Sequence, residues 1–228
     1  HEIEQPTGLT LDVDTAADNP SISRVKTTMP AGLTLNPAVG NKVWYCAEDA
    51  NLNAALASDT CDPRSVIGTV QAQTPLLAGT YPGKVVLAKP GATPAERYKL
   101  AMIIKIPGTN VIVHGTTTVD GSGQGTGGGS GLIVTDFDNL PDLNFSHMKI
   151  HFDNGPDALL ANSSQCGTQQ FAAEFWSHAH PTSNSAASPQ GPANQYELSY
   201  DGAGAECPED EAPVQARAFD PQFTGSVS

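Results

Sequence analysis

The chain has 228 residues, a net charge of −13 and only 15% charged residues, with 22 glycines and 18 prolines. This length suffices for one large domain with a sizeable core, and the composition indicates short strands joined by many turns. The acidic balance and the lack of a Lys/Arg cluster exclude nucleic acid as a partner, because phosphate binding needs a basic surface. No apolar run approaches the roughly 18 residues of a membrane helix, so we expect no membrane insertion.

Short segments of alternating apolar residues, bounded by Gly, Pro, Asn or Asp, predict half-buried strands. The clearest is Tyr98–Ile106, where every second residue is apolar and one face therefore looks inward. The other predicted strands are residues 9–13, 67–70, 84–88, 110–118, 132–137, 148–152, 169–176 and 196–200. One helix is expected at residues 48–57, where Leu52 and Leu56 lie one turn apart.

Two low-complexity segments interrupt this pattern. Residues 120–131, DGSGQGTGGGSG, are interpreted as a flexible hairpin tip, since the helix and lysine of a phosphate-binding loop are missing. Residues 177–195 are rich in Ser, Asn and Pro and predict a long surface loop. We therefore predict an all-β fold, immunoglobulin-like or a related two-sheet β-sandwich, with one short helix and long loops.

The chain contains four cysteines, Cys46, Cys61, Cys166 and Cys207. They allow three pairings, and the absence of a C-x-x-C spacing argues against zinc and thioredoxin-like chemistry. The even count and the low charge favour disulfides, which form outside the cytosol. We predict the local pairing, Cys46 with Cys61 and Cys166 with Cys207, which closes two loops without crossing. The first bridge would attach the helix to the sheet. The second would tether residues 177–228 to a core at 7–176, within one domain.

One phrase occurs twice, as FDNLPD at residues 137–142 and FDNGPD at 152–157. Each copy follows a predicted strand that ends at phenylalanine, and Asp-Asn followed by Pro is turn chemistry. We interpret the two copies as the same turn made twice. The alternatives are a calcium site that contains Asp138 and Asp153, and a pair of catalytic carboxylates.

Several motifs follow one another in a fixed order around the first two cysteines: MPAGLTLNPAVG, SVIGTVQAQTPLL, GKVVLAKPG, FDNLPDLNFSHMKIHF, GPDALL and CGTQQFAAEF. Together they resemble a repeated module of large secreted actinobacterial proteins, over most of residues 7–176. The resemblance implies a β-rich extracellular module with both disulfides. It transfers no catalytic residue, because the shared motifs are turn, core and cysteine positions.

The leading hypothesis is a non-catalytic structural or adhesive module of a secreted or cell-surface protein. Its basis is an acidic, turn-rich β domain held by disulfides, without an assembled active site. We expect no enzymatic activity and no cofactor. The expected partners are neighbouring modules or a surface partner such as a glycan.

The alternative is a carbohydrate-binding module or a secreted glycan-active enzyme. Its candidate stacking residues are Trp44, Trp176 and Tyr196. Aromatic residues in strands more often belong to the core, so this platform needs an exposed arrangement. A copper-dependent polysaccharide monooxygenase is a special case, in which the amine and ring of His1 would bind copper with His178 and His180.

Overall fold

The computed structural model describes residues 1–16, 19–30, 32–39, 44–90, 98–119, 132–182, 184–187 and 195–207. These residues are mostly β with one α-helix, α1 (Asp49–Ser58), which confirms the all-β prediction. The strands are β1 (Pro6–Thr7), β2 (Leu9–Asp14), β3 (Ile22–Thr28), β4 (Thr34–Leu35), β5 (Val66–Thr74), β6 (Leu77–Ala88), β7 (Tyr98–Ile106), β8 (Thr109–Val119), β9 (Ile133–Phe137), β10 (His147–Phe152), β11 (Leu160–Ala161), β12 (Gly167–Gln170), β13 (Ala172–Ser177), β14 (Asn184–Ala187) and β15 (Gln195–Leu198). Two single-turn 3-10 helices are Pro37–Val39 and Pro63–Ser65.

One antiparallel sheet contains ten of these strands, in the order β14-β13-β3-β9-β8-β7-β6-β5-β10-β2. Strands β5 to β9 follow one another as a meander, so the middle of the sheet is built from local connections. The sheet curls, and inward side chains from both of its halves meet in one core, as they do in a β-sandwich. Two small sheets, β1-β11-β4 and β12-β15, complete the described architecture.

Strand β7 is buried on both faces, which explains its nearly continuous apolar sequence. Leu100, Met102 and Ile104 point into the inner core. The residues between them, Ala101 and Ile103, belong to a second cluster on the outer face, beneath α1. The predicted inward face of this strand is confirmed, and the outer cluster is the part that the period of two did not indicate.

Helix α1 packs on the sheet through apolar side chains and is flanked by a disulfide. Leu56 is 0% exposed and packs in the outer cluster, with Leu52 at its margin. Cys46 and Cys61, which flank the helix, form a disulfide, as predicted. The backbone N–H of Cys46 also donates to the Leu87 carbonyl of β6, so the bridge fixes both helix ends near the same strand.

The helix ends at Asp59, a left-handed residue with φ 56° and ψ 38°. Its carboxylate forms ion pairs with Lys84 and Lys105, and each Nζ lies 2.5 Å from a carboxylate oxygen. Burial raises the pKa of the Asp59 carboxyl, but hydrogen bonds from Lys105 and Lys84 outweigh it and hold the pKa below its ordinary value. The cap therefore joins the helix to β6 and β7 through charge.

We expect Asp59→Asn to lower the free energy of unfolding by about 2 kcal/mol at pH 7, because the charged hydrogen bonds are lost while Asn still tolerates the left-handed backbone. A lowered folded-state pKa stabilises the fold fully above the unfolded value, roughly 3.9 for Asp. The difference between wild type and variant should therefore stay constant from pH 7 to 5 and shrink as the pH falls below about 4. Urea unfolding at pH 7, 5 and 3 measures this; a difference independent of pH would contradict it.

Strand β3 was not predicted, although it lies inside the ten-stranded sheet between β13 and β9. The register against β13 pairs Trp176 with Arg24 but Ser177 with Ile22, so Ser23 is an extra residue in a β-bulge. The bulge shifts the alternation by one residue. An apolar pattern with a strict period of two therefore does not appear in this segment of the sequence.

The predicted strand 169–176 is in fact two strands that belong to different sheets. Strand β12 pairs with β15, whereas β13 enters the large sheet, and the chain passes between them at Phe171. The Phe171 ring packs against the inner core and lies 5.7 Å from the Tyr196 ring, centroid to centroid. This partly buried ring therefore packs on the core at the crossing point. The second disulfide, Cys166 to Cys207, is also as predicted and attaches the C-terminal segment beside β12.

The repeated FDN phrase forms two different turns, so our interpretation of one turn made twice was wrong in detail. Both copies begin at a buried phenylalanine that ends a strand, as predicted. In the first copy the left-handed residue is Asn139, and the next residue, Leu140, is buried and donates its N–H to Ser23. In the second copy Gly155 takes the left-handed position, one residue later in the phrase.

Candidate functional site

An apolar cleft of about 860 Å³ opens beside strand β2. On the opposite side it is lined by residues of β3 and β13, which lie near the other end of the ten-stranded order. The curled sheet therefore comes close to closing on itself and leaves a gap there. Its floor consists of core side chains, among them Met102, Phe137, Met148, Ile150 and Leu160. The volume lies in the range of ligand pockets in proteins, roughly 300–1,000 Å³.

Strand β2 faces the cleft with its backbone edge as well as with its side chains. All nine residues from 7 to 15 line the cleft, whereas β3 contributes only Ile22, Val25 and Thr27. Among the described strands, only β10 pairs with β2, which is the last strand of its sheet. One side of the cleft is thus a strand edge that no other described strand pairs with.

The pairing identifies which backbone groups lie at this free edge. Thr15 donates to Ser146 across the β2–β10 ladder, and Asp153 donates to Ile67 across the β10–β5 ladder. Because hydrogen-bonding direction alternates along antiparallel strands, Leu9, Leu11 and Val13 bond to β10. The N–H and C=O groups of the residues between them therefore point to the free edge. Those residues are Thr10, Asp12 and Asp14.

The outer rim of this edge is acidic. Asp12 lies 3.2 Å from the Lys149 ammonium and 3.4 Å from the His147 ring, and Asp14 lies 2.8 Å from the same ring. Thr10 hydrogen-bonds His151 at 2.9 Å. These cross-strand pairs hold β2 on β10. Two carboxylates against one lysine leave the rim short of positive charge.

One end of the cleft is closed by aromatic rings. Tyr196 of β15 lies between Phe171 and His1, whose ring meets it edge-on with 5.4 Å between centroids. Burial raises the pKa of the Tyr196 hydroxyl. The N-terminal amine of His1 donates to the Glu197 carbonyl at 3.0 Å. The predicted candidates His1 and Tyr196 therefore meet, but as a wall of this cleft.

The other two aromatic candidates are separate from the cleft, and arginine covers one face of each ring. The Arg64 guanidinium stands 3.3 Å from the centroid of Trp44, whose side chain is 46% exposed. Hydrogen bonds from Arg64 lower the pKa of Asp62 to about 2. Arg24 stands 4.6 Å from the centroid of Trp176 and donates to Asp136. Cation–π contact thus occupies ring faces that a sugar would use. A stacking role for these rings stays a prediction.

The candidate metal ligands do not converge. Within the described ranges, no group of three or more His, Cys, Asp or Glu residues is arranged to hold a metal ion. The copper candidates are the described residues His1, His178 and His180. His178 contacts the Leu140 carbonyl at 3.0 Å, and the backbone N–H of His180 donates to Ser177. The calcium candidates Asp138 and Asp153 are exposed, each in its own turn.

Searches against protein-family models, curated proteins and solved structures found no match to this chain. In the part of the chain that the structure describes, no helix is long and apolar enough to cross a membrane. The two disulfides indicate an oxidising compartment outside the cytosol.

The residues that form the cleft edge were missed as a site because each looked ordinary in the sequence. The signal was present in LTLDVD, where apolar residues alternate with two aspartates. Charged residues on the solvent face are common on strands at a sheet edge, since they discourage uncontrolled pairing. The pattern indicated a half-buried strand. That the edge is open required the sheet order.

Proposed function

We propose that this chain is a non-catalytic structural or adhesive module of an exported protein, and that it makes contacts by taking up an extended polypeptide segment beside β2. The observation that carries the proposal is the coincidence of an apolar cleft with a strand edge that is unpaired among the described residues. A segment added there would satisfy the free backbone groups of Thr10, Asp12 and Asp14 and would bury alternate side chains in the cleft. Strand addition to a sheet edge is a general mode of peptide recognition.

Secretion or display at a cell surface is the setting that we propose for this module. Two disulfides support it, because both depend on an oxidising environment. The resemblance to a repeated secreted module supports it further and makes neighbouring modules the natural partners. A glycan partner is less favoured, because arginine already covers one face of Trp44 and one of Trp176.

The test uses a proline whose missing N–H affects only the free edge. In Asp12→Pro the β2–β10 ladder stays intact, since the N–H of residue 12 points away from β10, and proline is tolerated at such edge positions. Asp12→Ala is the matched control, because it also removes the carboxylate but keeps the N–H. The probe is a synthetic nonapeptide in which valine alternates with lysine.

Amide hydrogen exchange of residues 10 and 14 is measured by NMR, with and without this peptide. Relative to Asp12→Pro, we expect these amides to exchange roughly tenfold or more slowly in the wild type and in Asp12→Ala, with the peptide, without it or in both conditions. The reason is that a paired edge protects its amides. In Asp12→Pro no slowing is expected, while Val85 and Ile103 in the sheet stay protected. Equal exchange rates in all three proteins under both conditions would overturn the proposal.

A further inference from the structure

We propose that residues 214–219 of this chain, VQARAF, are the segment that adds to the free edge of β2 and covers the cleft. This inference rests on the proposed function and names the occupant of the same site. The segment lies outside the described residues, so its sequence, its charge and the position where the described chain ends carry the argument.

The sequence of the segment suits an edge strand over an apolar cleft. Val214, Ala216 and Ala218 are apolar and spaced by two, with Gln215 and Arg217 between them. A strand with this pattern turns three small apolar side chains to one face and the side chains of Gln215, Arg217 and Phe219 to the other. Small inward side chains suit a cleft whose floor is already filled with Met and Phe.

Charge favours this segment over other occupants. In an added strand, the outward Arg217 would lie beside Asp12 or Asp14, on a rim that holds two carboxylates and one lysine. Opposite charges on neighbouring strands stabilise their pairing. Arg217 is the only Lys or Arg after Lys149 in the sequence. The segment therefore brings its single arginine to a rim on which two carboxylates face one lysine.

The second disulfide places the segment within reach. Cys207 is bonded to Cys166, which directly precedes β12, and that strand leads to Phe171 in the cleft wall. Residues 166 and 171 are at most about 18 Å apart, the length of a fully extended chain between them. The chain from residue 207 to 214 can span up to about 25 Å, which exceeds that distance. The tether is long enough to bring the segment to this wall of the cleft, and it keeps the local concentration of the segment near the cleft high.

A second copy of the chain is a weaker candidate for the same edge. Pairing β2 with β2 of another molecule would bring Asp12 and Asp14 of both copies together. Like charges on directly neighbouring strands destabilise their pairing. Each chain also carries a net charge of −13, which opposes association. We therefore assign the edge to the segment of the same chain.

The experiment traps the proposed neighbours in the full chain. Neighbouring residues on paired antiparallel strands have Cα atoms about 4.5–5.5 Å apart, a separation that a disulfide spans. We expect Asp12→Cys or Asp14→Cys, each combined with Arg217→Cys, to give a cross-link to position 217 in most monomers by non-reducing peptide mapping. Two partner positions are used because the register of the added strand can place Arg217 opposite Asp12 or opposite Asp14.

Gln71→Cys with Arg217→Cys is the matched control. Gln71 pairs with Lys149, which pairs with Asp12, so it lies on the same face but two strands away, about 10 Å from Asp12. Equal cross-linking in this control, or none in either test variant, would overturn the inference. A cross-link that joins two molecules would overturn the same-chain assignment. Protected amides at residues 10 and 14 without a cross-link would leave the proposed function standing and remove only this occupant.

Discussion

Replacing Leu56 with alanine is expected to lower the free energy of unfolding by about 3–5 kcal/mol, the upper part of the range for large-to-small core substitutions. Leu56 is fully buried on α1 and packs against Val86, Ala101 and Ile103, which lie on two adjacent β-strands. Those neighbours are held in the sheet ladder and cannot collapse into the space. A cavity therefore remains and adds its cost to the lost burial.

Leu52→Ala is the matched control for this prediction, since the same residue type sits one turn earlier on the same helix and is only half-buried. We expect a loss of about 1–2 kcal/mol there, because less apolar surface leaves water in the wild type. Urea unfolding followed by tryptophan fluorescence measures both variants. Similar losses at the two positions would show that the outer cluster does not stabilise the fold as the packing indicates.

Removing the first disulfide, with Cys46→Ala and Cys61→Ala together, is expected to cost about 3 kcal/mol. The bridge joins residues 15 apart, and closing a loop of this size lowers the entropy of the unfolded chain by an amount equivalent to about 3 kcal/mol. Both cysteines are also buried in the outer cluster, so alanine leaves part of their volume unfilled. The loss should appear at equilibrium and should be accompanied by faster exchange of the α1 amides.

The corresponding control is reduction of the unchanged protein under native conditions. If both bridges are reduced, the loss should exceed that of the double alanine variant, because the second loop, 41 residues in separation, is opened as well. A double variant that unfolds at the same urea concentration as the wild type would contradict the assigned role of this bridge. In that case helix α1 would be held by its apolar contacts and by Asp59 alone.

The proposed site was only partly predictable from the sequence. The alternation in residues 9–13 predicted a strand with Leu9, Leu11 and Val13 turned inward, and the structure confirms it. Nothing local distinguishes an edge strand with an open side from one that is covered. That difference depends on which strands lie at the two ends of the sheet, and those strands are far apart in the sequence.

The sequence by itself determined the features that depend on local chemistry. The unbroken alternation of β7 indicated its inner face, the leucines one turn apart indicated α1, and nearness in sequence indicated the cysteine pairs. Only the tertiary structure decided three others. A bulge at Ser23 hid a strand inside the large sheet, a crossing at Phe171 divided one predicted strand between two sheets, and curling of the sheet left the cleft beside β2. The physical reason is the same in each case: these features depend on side chains from distant segments that meet only when the sheet has formed.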